Sequence, residues 1–400
     1  MKIFINIFIF FCCFPYLDFL KLGTDTQPNA IFLAAVLALG TRAKNINGPL
    51  IMLWSLFGLA FIFALGSSLE YFTTIKTLFN YLSPAILAFV AYNLYTTYNY
   101  RISFRFFMGI ISIYFFVGFM QYFVFHEFGA FMLNEARGIL VHGRGVISLC
   151  TEPAFYGTIC LFLMIFSLLN FNKKENMIAV PFLLFQLFFL SKSSTALAVL
   201  IAAIGVFVGI QVIKGKILFV VLFLVTAVAA AITYSRIKDN LEDTRAGQLL
   251  ESFIEDPLLI AQADQSASVR LTSSFAPFIS MKENYFMPQG FGRYPKFISD
   301  MYYQSKYRKL IVPFNLRYTE KIGGSMNVVL FHLGFLGLLF PLAIYLSFKD
   351  LLHRPEILFS YILFMILLFT QIQLMHSMIG LIIGVALFHS KHDTTETNLV

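Results

Sequence analysis

Residues 196–213 read ALAVLIAAIGVFVGIQVI, a stretch with no charged side chain, no proline and no regular alternation of polar and apolar positions. A helix needs about 20 largely apolar residues to cross the hydrocarbon core of a bilayer, and it satisfies all of its own backbone hydrogen bonds on the way. The stretch therefore reads as a transmembrane helix, and the rest of the chain reads the same way. Of 400 residues 58% are hydrophobic and 12% charged, 49 are phenylalanine, and the mean hydropathy is +0.78. That balance excludes a water-facing globule and sets an integral membrane protein.

Comparable apolar runs recur near 3–20, 28–40, 49–67, 72–94, 103–125, 152–170, 176–190, 216–233, 325–348, 356–371 and 374–389. With 196–213 they make about twelve crossings, and about 10–12 fit the pattern. The range in the count has two sources: the second run is short, and the apolar stretch 357–388 is divided only by Gln371, Gln373, His376 and Ser377. The expected fold class is an all-α polytopic membrane protein, one transmembrane helical domain over 1–400 with one large loop over 234–324. The first run has a lysine and an apolar core like a secretory signal, but Pro15, Tyr16 and Asp18 follow in place of a small-residue cleavage site, so it is expected to stay as the first helix.

Basic residues accumulate in alternate short loops: Arg42 with Lys44, Arg101 with Arg105, Lys173 with Lys174, Lys214 with Lys216, and Lys349 with Arg354. By the positive-inside rule these loops are cytoplasmic, which puts both termini inside and the 234–324 loop outside as a small cap. The loop carrying Arg137 and Arg144 is the exception, a pair of arginines on the outer side. Cys12, Cys13, Cys150 and Cys160 lie in or beside apolar runs without paired spacing, which fits inert free thiols and neither a disulfide framework nor a metal site. The formal charge of +8 comes from loops, with no basic segment interleaved with aromatics in an exposed domain, so the bilayer is the expected partner and nucleic acid is not. No fixed-period repeat shows, and nearly all charges sit at run ends or in loops, which speaks against a transporter.

In Thr151-Glu152-Pro153 the threonine reads as a helix N-cap, with the glutamate and proline in the first turn. Helix initiation alone explains all three. A carboxylate at a membrane boundary with Arg137 and Arg144 upstream is also how a base is set near an anionic substrate, with His142 between the arginines placed for proton transfer. Arginine suits phosphate because its planar fork makes directed, charge-assisted hydrogen bonds and stays protonated. In the long loop Arg270 opens an amphipathic stretch, and Glu283, the glycines of Gly290-Phe291-Gly292 and Arg293 follow. The glycines suit a close backbone approach to a ligand, and a solvated loop face is the plainer reading of Arg293, Arg308 and Arg317. After the loop Ser325 or Asn327 starts the next helix, and His332 falls deep enough to read as a packing residue.

With these segments the chain resembles the bacterial O-antigen polymerases of the Wzy type, within the group of O-antigen ligase and polymerase membrane proteins. The carriers are RGVISLCTEPAFYG at 144–157, LSKSSTAL at 190–197, an arginine followed by MKENYFMPQGFG at 270–292, and N-x6-GFLG at 327–337. The resemblance implies a GT-C-like membrane glycosyltransferase architecture in the bacterial inner membrane, with the active site facing the periplasm. It further implies a glycan polymerase, which transfers a growing glycan from undecaprenyl diphosphate to the terminal sugar of another undecaprenyl-diphosphate-linked repeat unit. It calls for no cofactor and no metal, and it leaves room for a chain-length regulator protein as partner. Carried over residue by residue, Glu152, Arg144 and Arg270 become catalytic, and Arg137, His142, Arg293 and Asn327 substrate-binding. The R-x10-G pattern of such polymerases is met only by Arg236 and Gly247. The ligase-type His-Asn reads Met326-Asn327, and that missing histidine counts against one alternative, an O-antigen ligase acting on lipid A core; a polysaccharide flippase is the other alternative.

Overall fold

A computed structural model of the chain describes residues 2–19, 26–40, 46–67, 71–134, 136–137, 145–215, 265–304, 322–370 and 372–397. They are helical, with no strand among them and only the isolated bridge between Leu17 and Leu133. Each expected apolar run that falls on described residues coincides with a helix, and the run near 216–233 lies outside them. The helices are α1 Lys2–Cys13, α2 Asn29–Gly40, α3 Gly48–Leu65, α4 Tyr71–Thr97, α5 Phe104–Phe123, α6 Pro153–Asn170, α7 Lys173–Phe185 and α8 Ser194–Ile213. Beyond the long loop's first part follow α9 Gln265–Glu283, α10 Tyr294–Tyr303, α11 Ser325–Leu333, α12 Leu339–Phe348, α13 Pro355–Thr370 and α14 Ser377–Thr397. Among the described residues 7 helical segments are long and apolar enough to cross a membrane, the last being Ser325–Leu351, while Lys2–Cys13, Asn29–Gly40 and Pro355–Thr370 are shorter apolar helices. The protein is thus a multi-pass helical membrane protein.

Helix ends follow local chemistry. Asn47 and Ser103 cap α3 and α5 by accepting the amides of Leu50 and Phe106, and Asn172 with Glu175 forms a reciprocal capping box on α7. The first run is helical only as far as Cys13, shorter than its apolar extent, because Pro15 has no amide hydrogen to continue the ladder and disfavours the helical conformation at Phe14. The carbonyls this leaves at Cys12 and Cys13 are taken from outside the helix, by Ser377 Oγ at 2.7 Å and Tyr114 Oη at 2.7 Å. The same device holds the break between α13 and α14, where Ser83 Oγ of α4 donates to Met375 O at 3.0 Å.

The described residues fall into two compact units, one formed by Met1–Leu200, Gly337–Leu367 and Gln373–Val400, the other by Ile201–Leu336 and Leu368–Ile372. In the first, α6 is buried almost throughout, and α14 lies along α4 in an extensive helix–helix contact. That approach depends on Gly384: a Cβ there would stand 2.5 Å from Ala88 O and 2.7 Å from Ala91 Cβ. Small residues that let helix backbones meet are the usual source of association where lipid removes any hydrophobic drive. In the second unit α9 and α11 pack together, and Ala276, Tyr294, Ile298, Met301 and Phe331 form its cluster.

Replacing Gly384 with leucine should overpack this contact at a cost of about 1–3 kcal/mol. The thermal midpoint of purified protein should fall, whereas Gly205→Leu, at a position with open space around it, should leave it unchanged.

Candidate functional site

Pro153 occupies the start of α6, where a missing amide hydrogen costs nothing, and this puts the N-cap one residue later than the sequence suggests. The cap is Glu152, in extended conformation, and its side chain makes no capping bond; Thr151 lies before the helix. The carboxylate turns instead to Arg137, whose guanidinium nitrogen is 3.7 Å from Glu152 Oε1, with side-chain exposures of 48% and 34%. The Arg137 amide donates to Thr151 O at 2.8 Å, so backbone and side chain hold Arg137 at the same corner. At 3.7 Å the charges attract without a formed hydrogen bond, and a pair this open to solvent contributes roughly 0–1 kcal/mol. Stability does not explain the pair.

The segment leading to Glu152 is fixed much more firmly. Val146 N donates to Leu190 O at 2.8 Å, and a Cβ on Gly145 would stand 1.9 Å from Ser191 O, so only glycine fits. Gln121 reaches from α5 and exchanges bonds with the backbone of Ser148, accepting its amide at 2.6 Å and donating to its carbonyl at 3.0 Å, and it donates also to Phe128 O at 2.7 Å. This supports Ser148 in the left-handed region, with φ of 51°. Ser148 Oγ donates to Tyr114 O at 2.7 Å. On the facing side α7 ends in a π-helical turn, Gln186–Ser191, where Gln186 accepts the Tyr156 hydroxyl at 2.8 Å. Segments 145–157 and 190–197 therefore lock together. Cys150, in the first of them, is buried, and burial pushes its thiol well above the usual range, so it stays protonated.

In the second unit Arg270 lies on α9, partly buried, and Arg293 is exposed at the N-cap of α10. The Gly290-Phe291-Gly292 stretch makes two left-handed turns that bury Phe291 edge-on against His332, with centroids 4.6 Å apart. Gly290 N donates to His332 O at 3.0 Å and Phe335 N to Phe286 O at 3.0 Å. Gly334, with φ of 55°, lies so close that a Cβ would stand 2.5 Å from Phe286 O. The glycines expected to approach a ligand thus serve to dock their own loop on α11. Asn327 is buried, with its Nδ2 donating to Gly323 O at 2.8 Å and to Phe369 O at 2.7 Å, so its amide braces the end of the long loop against α13. Burial pushes the pKa of the Tyr294 hydroxyl up, which disfavours its ionisation, and its contact with Ser273 Oγ at 3.4 Å opposes that rise.

Among the sequence candidates, then, the structure brings together Arg137 and Glu152 in the first unit, while Arg270, Arg293 and Asn327 belong to the second. Arg144 and His142 lie outside the described residues, as do Arg236, Gly247, Arg308 and Arg317. The sequence reading missed Gln121 and Gln186, whose only signal was a polar side chain inside an apolar run, and it used His376 only as part of a break. No family model matches the chain, and no curated protein matches it.

Gln121→Leu would leave the Ser148 amide and carbonyl buried without their partner, at about 1–3 kcal/mol for each group. Thermal unfolding in detergent should show this loss, and Gln121→Glu, which keeps the acceptor for the Ser148 amide, should show a smaller one.

Proposed function

We propose that this protein is a metal-independent membrane glycosyltransferase of the O-antigen polymerase kind, working on undecaprenyl-diphosphate-linked oligosaccharides with its site on the periplasmic side of the bacterial inner membrane. The observation that carries the reading is the Arg137–Glu152 pair at the start of α6, a weakly stabilising pair on a firmly built support. Its support from the sequence is the pairing of motifs. The described part of the first, 145–157, touches 190–197, and 281–292 touches 327–337.

In the proposed step the acceptor sugar hydroxyl attacks the anomeric carbon of the donor glycan. A new glycosidic C–O bond forms, the C–O bond to the diphosphate breaks, and undecaprenyl diphosphate leaves with the electron pair. Glu152 accepts the hydroxyl proton or orients the hydroxyl, and a positioned base of this kind contributes about 10²–10⁴-fold. Arg137 and Arg144, with Arg270, stabilise charge as it builds on the leaving diphosphate, where each charge-assisted bond is worth about 1.5–3 kcal/mol. Arg293 and Asn327 serve substrate binding, Asn327 through the loop end that it braces, and His142 serves proton transfer. The GT-C-like arrangement, the count of about twelve crossings and a chain-length regulator as partner belong to this reading.

Glu152→Gln and Arg270→Ala should each give an inserted protein at wild-type abundance whose host carries single-repeat-unit O-antigen. The readout is the lipopolysaccharide ladder after complementation of a polymerase-null strain. Wild-type ladders from both variants would refute the assignment, and loss of all O-antigen on lipid A core would point to a ligase.

A further inference from the structure

Glu152 closes a circuit of bonds that runs through α6, the end of α7 and the 145–152 segment. The Tyr156 amide donates to Glu152 O at 3.1 Å, so the backbone that carries the carboxylate is held by Tyr156. The Tyr156 hydroxyl donates to Gln186 Oε1 at 2.8 Å, where α7 passes into its π-helical turn. In that turn Lys192 N reaches five residues back to Leu187 O at 3.1 Å, and Ser191 Oγ donates to the same carbonyl at 3.0 Å. Near its far end Leu190 O accepts the Val146 amide at 2.8 Å, and residues 146–152 lead back to Glu152. Neighbouring helices are shaped around this circuit. A Cβ on Gly118 of α5 would stand 3.2 Å from Tyr156 Oη, so glycine there leaves the hydroxyl its room. A Cβ on Gly157 would stand 2.7 Å from Ala196 Cβ and 3.0 Å from Ser191 Oγ, so α6 beside Tyr156 lies directly on the chain that leaves the turn.

The link through Gln186 is one that packing does not require. Gln186 is fully buried, and while its Oε1 holds Tyr156, its Nε2 has no hydrogen-bond partner among the described residues. A donor left unmade in an apolar interior is unfavourable, and methionine would fill a similar space without one. A π-helical turn is likewise rare, and such turns recur at functional sites. Both unfavourable features fall where the helix of Glu152 is joined to the turn that holds its loop. Tyr156 does not need Gln186 to be satisfied, because Tyr114 O lies 3.4 Å from its hydroxyl as a second acceptor. What the Gln186 bond adds is a fixed register between α6 and the turn.

We propose that Tyr156 and Gln186 are positioning residues: through the π-helical turn they hold the start of α6 and the 145–152 segment in one register, and so fix where the Glu152 carboxylate stands. The inference deepens the glycan-transfer reading and rests on it for what the carboxylate does.

The test uses the full chain in nanodiscs with undecaprenyl-diphosphate-linked repeat unit from a polymerase-null host. It reads kcat, KM, the thermal midpoint and amide hydrogen exchange in peptides covering 145–152. Gln186→Met removes the unpartnered donor along with the bond, so its thermal midpoint should equal or exceed that of wild type. Its kcat should nonetheless fall about tenfold with KM unchanged, since a misplacement of about 1 Å costs up to about 10²-fold. Exchange over 145–152 should quicken several-fold. Tyr156→Phe should reproduce the effects on kcat and exchange, and the double variant should be no worse than the more impaired single one, because both cut the same link. Unchanged kcat in the folded protein, or wild-type exchange over 145–152 in both variants, would overturn the proposal. A wild-type protein that turns over no lipid-linked glycan would remove the glycan-transfer reading instead. Exchange would then decide the positioning role alone: faster in both variants supports it, and unaltered in both overturns it.

Discussion

A carbonyl group freed at the end of a helix inside a membrane protein has little water to turn to, and at several breaks among the described residues a side chain from another helix takes it. Ser377 takes Cys12, Tyr114 takes Cys13, Ser83 takes Met375 and Gln121 takes Ser148. In the second unit Ser325 takes Ile372 and Asn327 takes Phe369. Each bond satisfies a buried acceptor that would otherwise cost about 1–3 kcal/mol, and each joins a break in one helix to the middle or end of another. Non-helical backbone is tolerated in a membrane protein where protein encloses it and supplies its partners, as these bonds do for the six carbonyls.

The consequence for the candidate site is rigidity where the chain turns. Residues 145–152 are not helical, yet they are clamped by Leu190, Ser191, Gln121 and Tyr114, with a glycine at the one point where backbones meet too closely for any side chain. The carboxylate of Glu152 therefore leaves a fixed base, and its position is set by packing and by Pro153 rather than by its own interactions. Precision of this kind comes from neighbouring bonds, which hold the supporting backbone before any ligand arrives.

The helices were legible because an apolar run long enough to cross a membrane is a local signal, and Ser194–Ile213 or Gly48–Leu65 could hardly be read otherwise. Their ends were less so. Thr151 has the composition of a cap, but Pro153 decides the register, and the first run stops at Cys13 although apolar residues continue. The site was legible as a list of charges and not as a geometry. Arg137 and Glu152 are near in sequence and meet, but nothing local in Gly145 announces Ser191, nor does anything in His376 announce Phe162 and Tyr16. Tertiary partners distant along the chain leave no periodic trace. The glycines of 290–292 carry the opposite lesson, since left-handed turns were foreseeable from composition while their use, docking Phe291 on His332, was not.

What remains is why a chain so sparing with charge places Arg137 and Glu152 as it does. An acidic N-cap ordinarily accepts a first-turn amide, which is worth about 1 kcal/mol, and Glu152 forgoes that bond. It takes in exchange a half-exposed ion pair beyond hydrogen-bonding distance, whose net contribution is smaller. A residue selected for helix stability alone would be aspartate or serine, short enough to cap. The longer side chain, held by a loosely paired arginine whose own amide is tied to Thr151 O, gives up local stability and keeps a carboxylate and a guanidinium side by side at a fixed corner of the fold. Local rules broken on an otherwise well-satisfied framework are where function is to be sought, and here the broken rule and the rigid framework belong to the same residues.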